Sequence, residues 1–134
     1  MDSNLRSLVR ERANKICEYC LVPEAYDQLP FQTDHIIAEK HGGLTEPDNL
    51  AWSCYDCNIY KGPNIAGIDP DTGIVVQLFH PRQHQWSEHF QWREAELQGL
   101  TPIGKATIAV LRINLERRIA FRRELSDEGL MILK

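Results

Sequence analysis

Apolar positions Leu5, Leu8, Val9 and Ile16 recur at helical spacing, with Arg12 on the same stripe, and predict a helix over residues 4–16. Asp2 and Ser3 stand before it as N-caps. Cys17-Glu18-Tyr19-Cys20 then reads as a turn, and residues 21–29 as a mixed loop. The β-branched Thr33, Ile36 and Ile37 predict a strand over residues 31–38, broken by His41-Gly42-Gly43. Residues 49–53 read as a second strand, and residues 54–61 as a turn running into a short helix that Gly62-Pro63 stops. A stretch rich in Gly, Pro, Asn and Asp follows to Gly73. Beyond it the pattern predicts a strand over 74–80, a hairpin of 87–93 with 96–100 turning near Glu94-Ala95, and one long helix over 105–125.

Composition narrows this picture. At 134 residues, 43% hydrophobic and 25% charged, the chain is an ordinary globular domain or a small module with an extension. Its longest run without Asp, Glu, Lys or Arg covers residues 72–81, far short of the ~20 apolar residues of a membrane-spanning helix. The N-terminus carries Asp2, Arg6, Arg10 and Arg12 in place of an apolar leader, so a cytoplasmic setting is expected. The net charge of −4 argues against a protein that coats nucleic acid by bulk charge and leaves a local site open. The excess is confined to residues 17–67, with two basic and eight acidic residues, whereas residues 68–134 balance nine against nine.

The acidic segment also holds all four cysteines. Cys17/Cys20 and Cys54/Cys57 are two C-x-x-C pairs separated by 33 residues. A secreted disulfide scaffold carries a leader and denser cysteine, and a thioredoxin-type site needs one such pair. Two pairs match tetrahedral ligation of one structural Zn²⁺ per chain, a closed site that does no chemistry itself. Disulfide or redox use is the lesser reading.

Between and beyond the pairs lies a denser pattern. Asp34-His35, the apolar pair Ile36-Ile37, Gly42-Gly43, Asn49-Leu50 and Cys54-x-x-Cys57-Asn58-x-x-Lys61-Gly62 follow in order over about thirty residues. Phosphodiester hydrolysis needs a base for water, a cation at the phosphate and stabilisation of the departing oxygen. His35 suits the base near neutral pH. Asp34 and Asn58 offer the oxygen ligands that hard divalent cations prefer. The pattern resembles the HNH endonuclease family, whose ββα-metal module the Cys17/Cys20 pair extends upstream. The resemblance implies Asp34 and Asn58 as ligands of a catalytic cation, His35 as general base, and Asn49 as the residue that holds the loop and orients the histidine.

Many family members carry histidine where Asn58 stands. An amide oxygen there favours Mg²⁺ or Mn²⁺ over Zn²⁺ or Ni²⁺. Adjacent residues on a regular strand face opposite ways, so Asp34 and His35 share a site only if the strand ends or bulges there. Lys61 and His41 are candidates to meet phosphate, against the plainer reading of solvated side chains.

In residues 68–134, Leu78-Phe79-His80-Pro81-Arg82, Trp86-Ser87-Glu88-His89-Phe90, Gly104-Lys105-Ala106-Thr107 and Leu111-Arg112-Ile113-Asn114 resemble an extension found on a subset of bacterial members. Val75, Val76, Leu78, Phe79, Phe90, Trp92, Ile108, Leu111 and Leu115 are its expected core. At 100° per residue Lys105, Arg112 and Arg123 align, while Arg118 and Arg122 fall on the side of Leu111 and Leu115, so no single basic stripe emerges. Arg112 is the candidate DNA contact. His80, Arg82, His84 and His89 read as loop residues before a second polar cluster.

The expected architecture is thus α+β: a ββα-metal module with structural zinc over residues 1–67, and a strand, hairpin and helix extension over 68–134 packed on it. The expected function is metal-dependent cleavage of DNA, with double-stranded DNA as partner. The alternatives are a non-catalytic zinc-knuckle nucleic-acid-binding module and a protein-interaction zinc finger. The last leaves Asp34, His35 and Asn58 idle.

Overall fold

Asp2 caps the first helix, α1 (Ser3–Arg12), its carboxylate accepting the Asn4 N–H at 2.7 Å in a computed structural model that describes residues 1–134. α1 stops short of Ile16 because Asn14 and Lys15 take left-handed φ values of 55° and 57° and turn the chain toward Cys17. Val9 is its one buried residue. Arg12, the polar member of the stripe, donates to the carbonyls of Pro47 and Leu50 at 3.0 and 2.7 Å, which ties α1 to the second strand.

Strand β1 (Gln32–His35) pairs antiparallel with β2 (Leu50–Ser53), with Asp34 opposite Ala51 and His35 opposite Leu50. β1 is shorter than the apolar run 31–38 because the chain leaves the ladder after Ile36, whose N–H donates to the Asn49 carbonyl at 2.8 Å. All of β2 is buried. The first cysteine turn docks on it: Glu18 N–H donates to the Trp52 carbonyl at 2.9 Å, and Trp52 N–H to the Glu18 carboxylate at 2.7 Å. Helix α2 (Tyr55–Lys61) follows, N-capped by the Cys54 thiol and ended at Gly62. Hairpin and helix form the expected ββα unit.

The second half departs from the pattern in three places. The Gly/Pro-rich stretch contains a strand, β3 (Ala66–Ile68), paired antiparallel with β4 (Val75–Gln77). Val75 therefore faces solvent at 65% exposure instead of joining the core, since this two-stranded ribbon covers only its Val76 face. The strand expected from residue 87 begins with a helical turn, α3 (Trp86–His89), before β5 (Phe90–Arg93) pairs with β6 (Glu96–Gly99). The hairpin turns where expected, with Glu94 at φ 57° and Ala95 buried.

The long helix is two helices. Thr101 caps α4 (Pro102–Leu111) by accepting the Gly104 N–H at 3.1 Å. Gly104 is required there, since a Cβ would lie 2.1 Å from the His89 carbonyl oxygen. α4 ends at Arg112, left-handed at φ 48°, and α5 (Glu116–Asp127) starts after Asn114. Asn114 leaves the helical path because its amide pairs with the backbone of Leu97, accepting at 2.9 Å and donating at 2.8 Å.

One apolar core runs through both halves, from Val9 and Trp52 through the cysteines to Phe79, Phe90, Leu111 and Met131. Arginines of α5 lock the halves together. Arg118 spans both oxygens of Asp27 at 3.2 and 2.9 Å and reaches Asp56 at 3.1 Å, while Arg117 takes both oxygens of Asp56 at 2.9 Å. Arg122 is fully buried, 0% exposed, and donates to the Ala95 and Ile113 carbonyls and the Asn114 amide oxygen. Replacing Arg122 by methionine keeps the bulk but strands these acceptors. A loss of about 3–5 kcal/mol in chemical denaturation is expected.

Three polar side chains of the connecting segment, His80, Arg82 and His84, also turn inward. His84 Nδ1 accepts the His80 N–H at 2.9 Å, and His80 Nδ1 accepts the Arg82 N–H at 3.2 Å. The His84 ring packs between Phe79 and the His80 ring, and burial lowers the pKa of both histidines. With each Nδ1 lone pair used by the backbone, these histidines staple their own loop. Arg82 pairs with Glu18 of the first cysteine turn. No helix in the chain is long and apolar enough to cross a membrane.

Candidate active site

The four thiols are free and buried, and their Sγ atoms all lie within 4.8 Å of one another. Cys20 Sγ and Cys54 Sγ are 3.7 Å apart, against the roughly 3.8 Å separation that tetrahedral Zn–S bonds of ~2.3 Å impose. In each turn the second cysteine's N–H donates to the first one's sulfur: Cys20 to Cys17 at 3.5 Å and Cys57 to Cys54 at 3.3 Å. Such bonds spread thiolate charge onto the backbone. The donor set, its closure and its burial fit structural zinc.

Four thiolates on one zinc are formally doubly negative, and α5 supplies the counter-charge. Burial pulls the Arg118 guanidinium down, but its bond to Asp27 and the charges of Cys20 and Cys54 outweigh this and leave its pKa raised. Arg118 and Arg122 of α5 are thus committed inward.

At the other end of α2, β1 and α2 bring Asp34, His35 and Asn58 to one open depression of about 300 Å³, lined also by Thr33, Ala38, Glu39, Gly62 and Pro63. β1 ends at His35, so the regular ladder does not hold the pair on opposite faces, and both Asp34 and His35 line this depression. Asp34 is 4% exposed. Its Oδ2 accepts from the Tyr19 hydroxyl at 2.6 Å and its Oδ1 from Lys61 Nζ at 3.2 Å. Burial pushes the Asp34 carboxyl up, opposed by Lys61 and Tyr19. The side chain of His35 is 21% exposed, with Nε2 at 2.8 Å from Thr45 Oγ1 and 3.6 Å from Glu39 Oε1.

Asn49 clamps the intervening loop. Its Oδ1 accepts the Ile37 N–H, and its Nδ2 donates to the carbonyls of Ile37 and Leu44, each at 2.9 Å. Gly43 completes the clamp, because a Cβ there would lie 1.7 Å from the Ile37 carbonyl oxygen. This loop carries Glu39 and Thr45 to the His35 ring.

Three expected phosphate contacts sit elsewhere. Lys61 is 1% exposed, and its ammonium is spent on Asp34 and on the His35 carbonyl at 3.0 Å. His41 is exposed in a single 3₁₀ turn, outside the lining of the depression. Arg112 stacks 5.2 Å over the Tyr60 ring of α2, also outside it. The sequence pattern does not single out Tyr19, Glu39 or Thr45. Tyr19 lies inside the first cysteine pair, where its spacing signals only a turn.

Besides the His35 ring, the depression offers the carboxylates of Asp34 and Glu39 and the Asn58 amide, all hard oxygen donors. These residues fit a Mg²⁺-class ion and offer no sulfur or second imidazole to a thiophilic one. Compared with known proteins, residues 17–64 match a family model described as HNH endonuclease. No curated protein and no solved structure matches the chain.

Proposed function

We propose, from the match of residues 17–64 to the HNH endonuclease family model, that this chain is a metal-dependent endonuclease that hydrolyses phosphodiester bonds in double-stranded DNA. The observation that carries this reading is the convergence of His35, Asp34 and Asn58 on one open depression. An open site suits a polymer backbone that must slide in from the side, whereas small-molecule sites enclose most of their ligand.

In this reading His35 takes the proton of the attacking water. Thr45 and Glu39 hold Nε2 of its ring, which leaves Nδ1 for that water. Asn49 keeps the loop that carries both partners in place. A divalent cation held by Asp34 and Asn58, Mg²⁺ or Mn²⁺, would polarise the phosphate and neutralise charge on the leaving oxygen. Tyr19 and Lys61 fix the plane of the Asp34 carboxylate. The zinc site does not touch substrate; it fixes where α2, and so Asn58, meets β1. A cytoplasmic setting, where thiols stay reduced, agrees with four cysteines held as zinc ligands.

The reading is tested by incubating the purified protein with supercoiled plasmid, linear duplex, single-stranded DNA and RNA in Mg²⁺, Mn²⁺ or EDTA. Nicked or linear product from duplex DNA is expected with either cation and none with EDTA. Retention of nucleic acid in a mobility-shift assay without hydrolysis of any substrate would instead support the non-catalytic zinc-knuckle binding module.

A further inference from the structure

We propose that Lys61 is a built-in counter-cation that competes with the divalent ion for Asp34, and so sets the concentration at which the centre loads. This rests on the reading of Asp34 and Asn58 as the groups that hold that ion. Lys61 is the last residue of α2, one turn beyond Asn58, so one short helix carries both a proposed ligand and a competing charge. Its stem is buried, its exposure is 1%, and its ammonium donates to Asp34 Oδ1 at 3.2 Å and the His35 carbonyl at 3.0 Å. Nothing about that position offers it to solvent or to a phosphate.

The chemistry of Asp34 explains why such a cation is needed. A carboxylate this buried is costly to keep ionised without a positive partner. Tyr19 supplies a hydrogen bond to Oδ2 but no charge. Lys61 therefore balances the charge at Asp34, and ties α2 to β1, when no divalent ion is bound. The same ammonium repels any dication that approaches the carboxylate, and it lies in a partly desolvated place where screening is weak. Binding thus requires the ion to share Asp34 with Lys61 or to displace it. Lys61 stabilises the empty centre and weakens the loaded one.

The two effects separate on removing the charge. With zinc-loaded protein, Mn²⁺ affinity is measured by electron paramagnetic resonance of the free ion, and melting temperature is recorded with and without Mn²⁺. Lys61→Met is expected to bind Mn²⁺ at least about tenfold more tightly than wild type. It is also expected to melt lower without Mn²⁺ and to gain more on adding it. If Lys61→Met does not fold, Lys61→Gln carries the comparison, since its amide retains a donor for the His35 carbonyl without the charge. Asp34→Asn is expected to abolish the Mn²⁺ site in either background. Equal or weaker Mn²⁺ binding by a folded Lys61 variant, beside a wild type that binds Mn²⁺ through Asp34, would overturn the role of Lys61 alone. Wild type showing no Asp34-dependent Mn²⁺ binding would overturn the reading of the metal-holding groups and this inference with it.

Discussion

His35→Ala is expected to lower cleavage of supercoiled plasmid by about 10²–10⁴-fold, with zinc content unchanged and the melting temperature close to wild type. The separation follows from what the imidazole touches. Its contacts in the structure are Thr45 and Glu39, both on the exposed loop. The fold uses only the backbone of this residue: its pairing with Leu50 and its carbonyl bond from Lys61. Alanine keeps both. Removing a partly exposed ring at the end of a strand costs within about 1 kcal/mol, while the attacking water loses its proton acceptor. A melting temperature that falls together with activity would point to a structural role for the ring.

The opposite behaviour is expected of Cys57→Ser. Cys57 is buried at the start of α2, and the cysteines lie in the same apolar core as Trp52, Phe79 and Phe90. Structural zinc in small modules contributes about 10–16 kcal/mol of apparent binding energy, comparable to or larger than the ~5–15 kcal/mol that keeps a whole domain folded. Losing one of four thiolates is therefore expected to cost the metal and the ββα unit together. Because α5 docks through Arg117 and Arg118 on Asp27 and Asp56, the extension loses its seat as well. Circular dichroism should show loss of cooperative melting, and metal analysis less than one zinc per chain. Prolonged chelation of wild type should give the same result. A Cys57→Ser protein that is zinc-free yet melts like wild type would remove zinc from the account of the fold.

Much of this centre was legible in the sequence because its parts signal locally. C-x-x-C spacing, a β-branched run before Gly42-Gly43, and an Asn-Leu pair opening a strand each constrain a few neighbouring residues. What was not legible depends on partners far along the chain. Lys61 looks like any solvated lysine until the fold sets it beside Asp34, 27 residues away. Tyr19 reads as a turn residue until β1 brings Asp34 beneath its hydroxyl. Residues 105–125 have favourable helical pattern throughout, and the break comes from Asn114 pairing with the backbone of Leu97 on a separate hairpin. β3 has only Ala66, Gly67 and Ile68, too weak a strand signal by composition, and exists because β4 pairs with it. Arg118 and Arg122 fell on the apolar side of their helix in the sequence, and their burial follows from that placement; which groups they meet did not.

The most direct measurement of whether this domain is a nuclease run by His35 is plasmid cleavage by wild type and His35→Ala, both zinc-loaded and folded, side by side in Mg²⁺, Mn²⁺ and EDTA. Metal-dependent conversion of supercoiled DNA by wild type, absent in EDTA and reduced at least about a hundredfold in His35→Ala, is the predicted result. Undiminished cleavage by His35→Ala, or no metal-dependent cleavage by wild type, would contradict it.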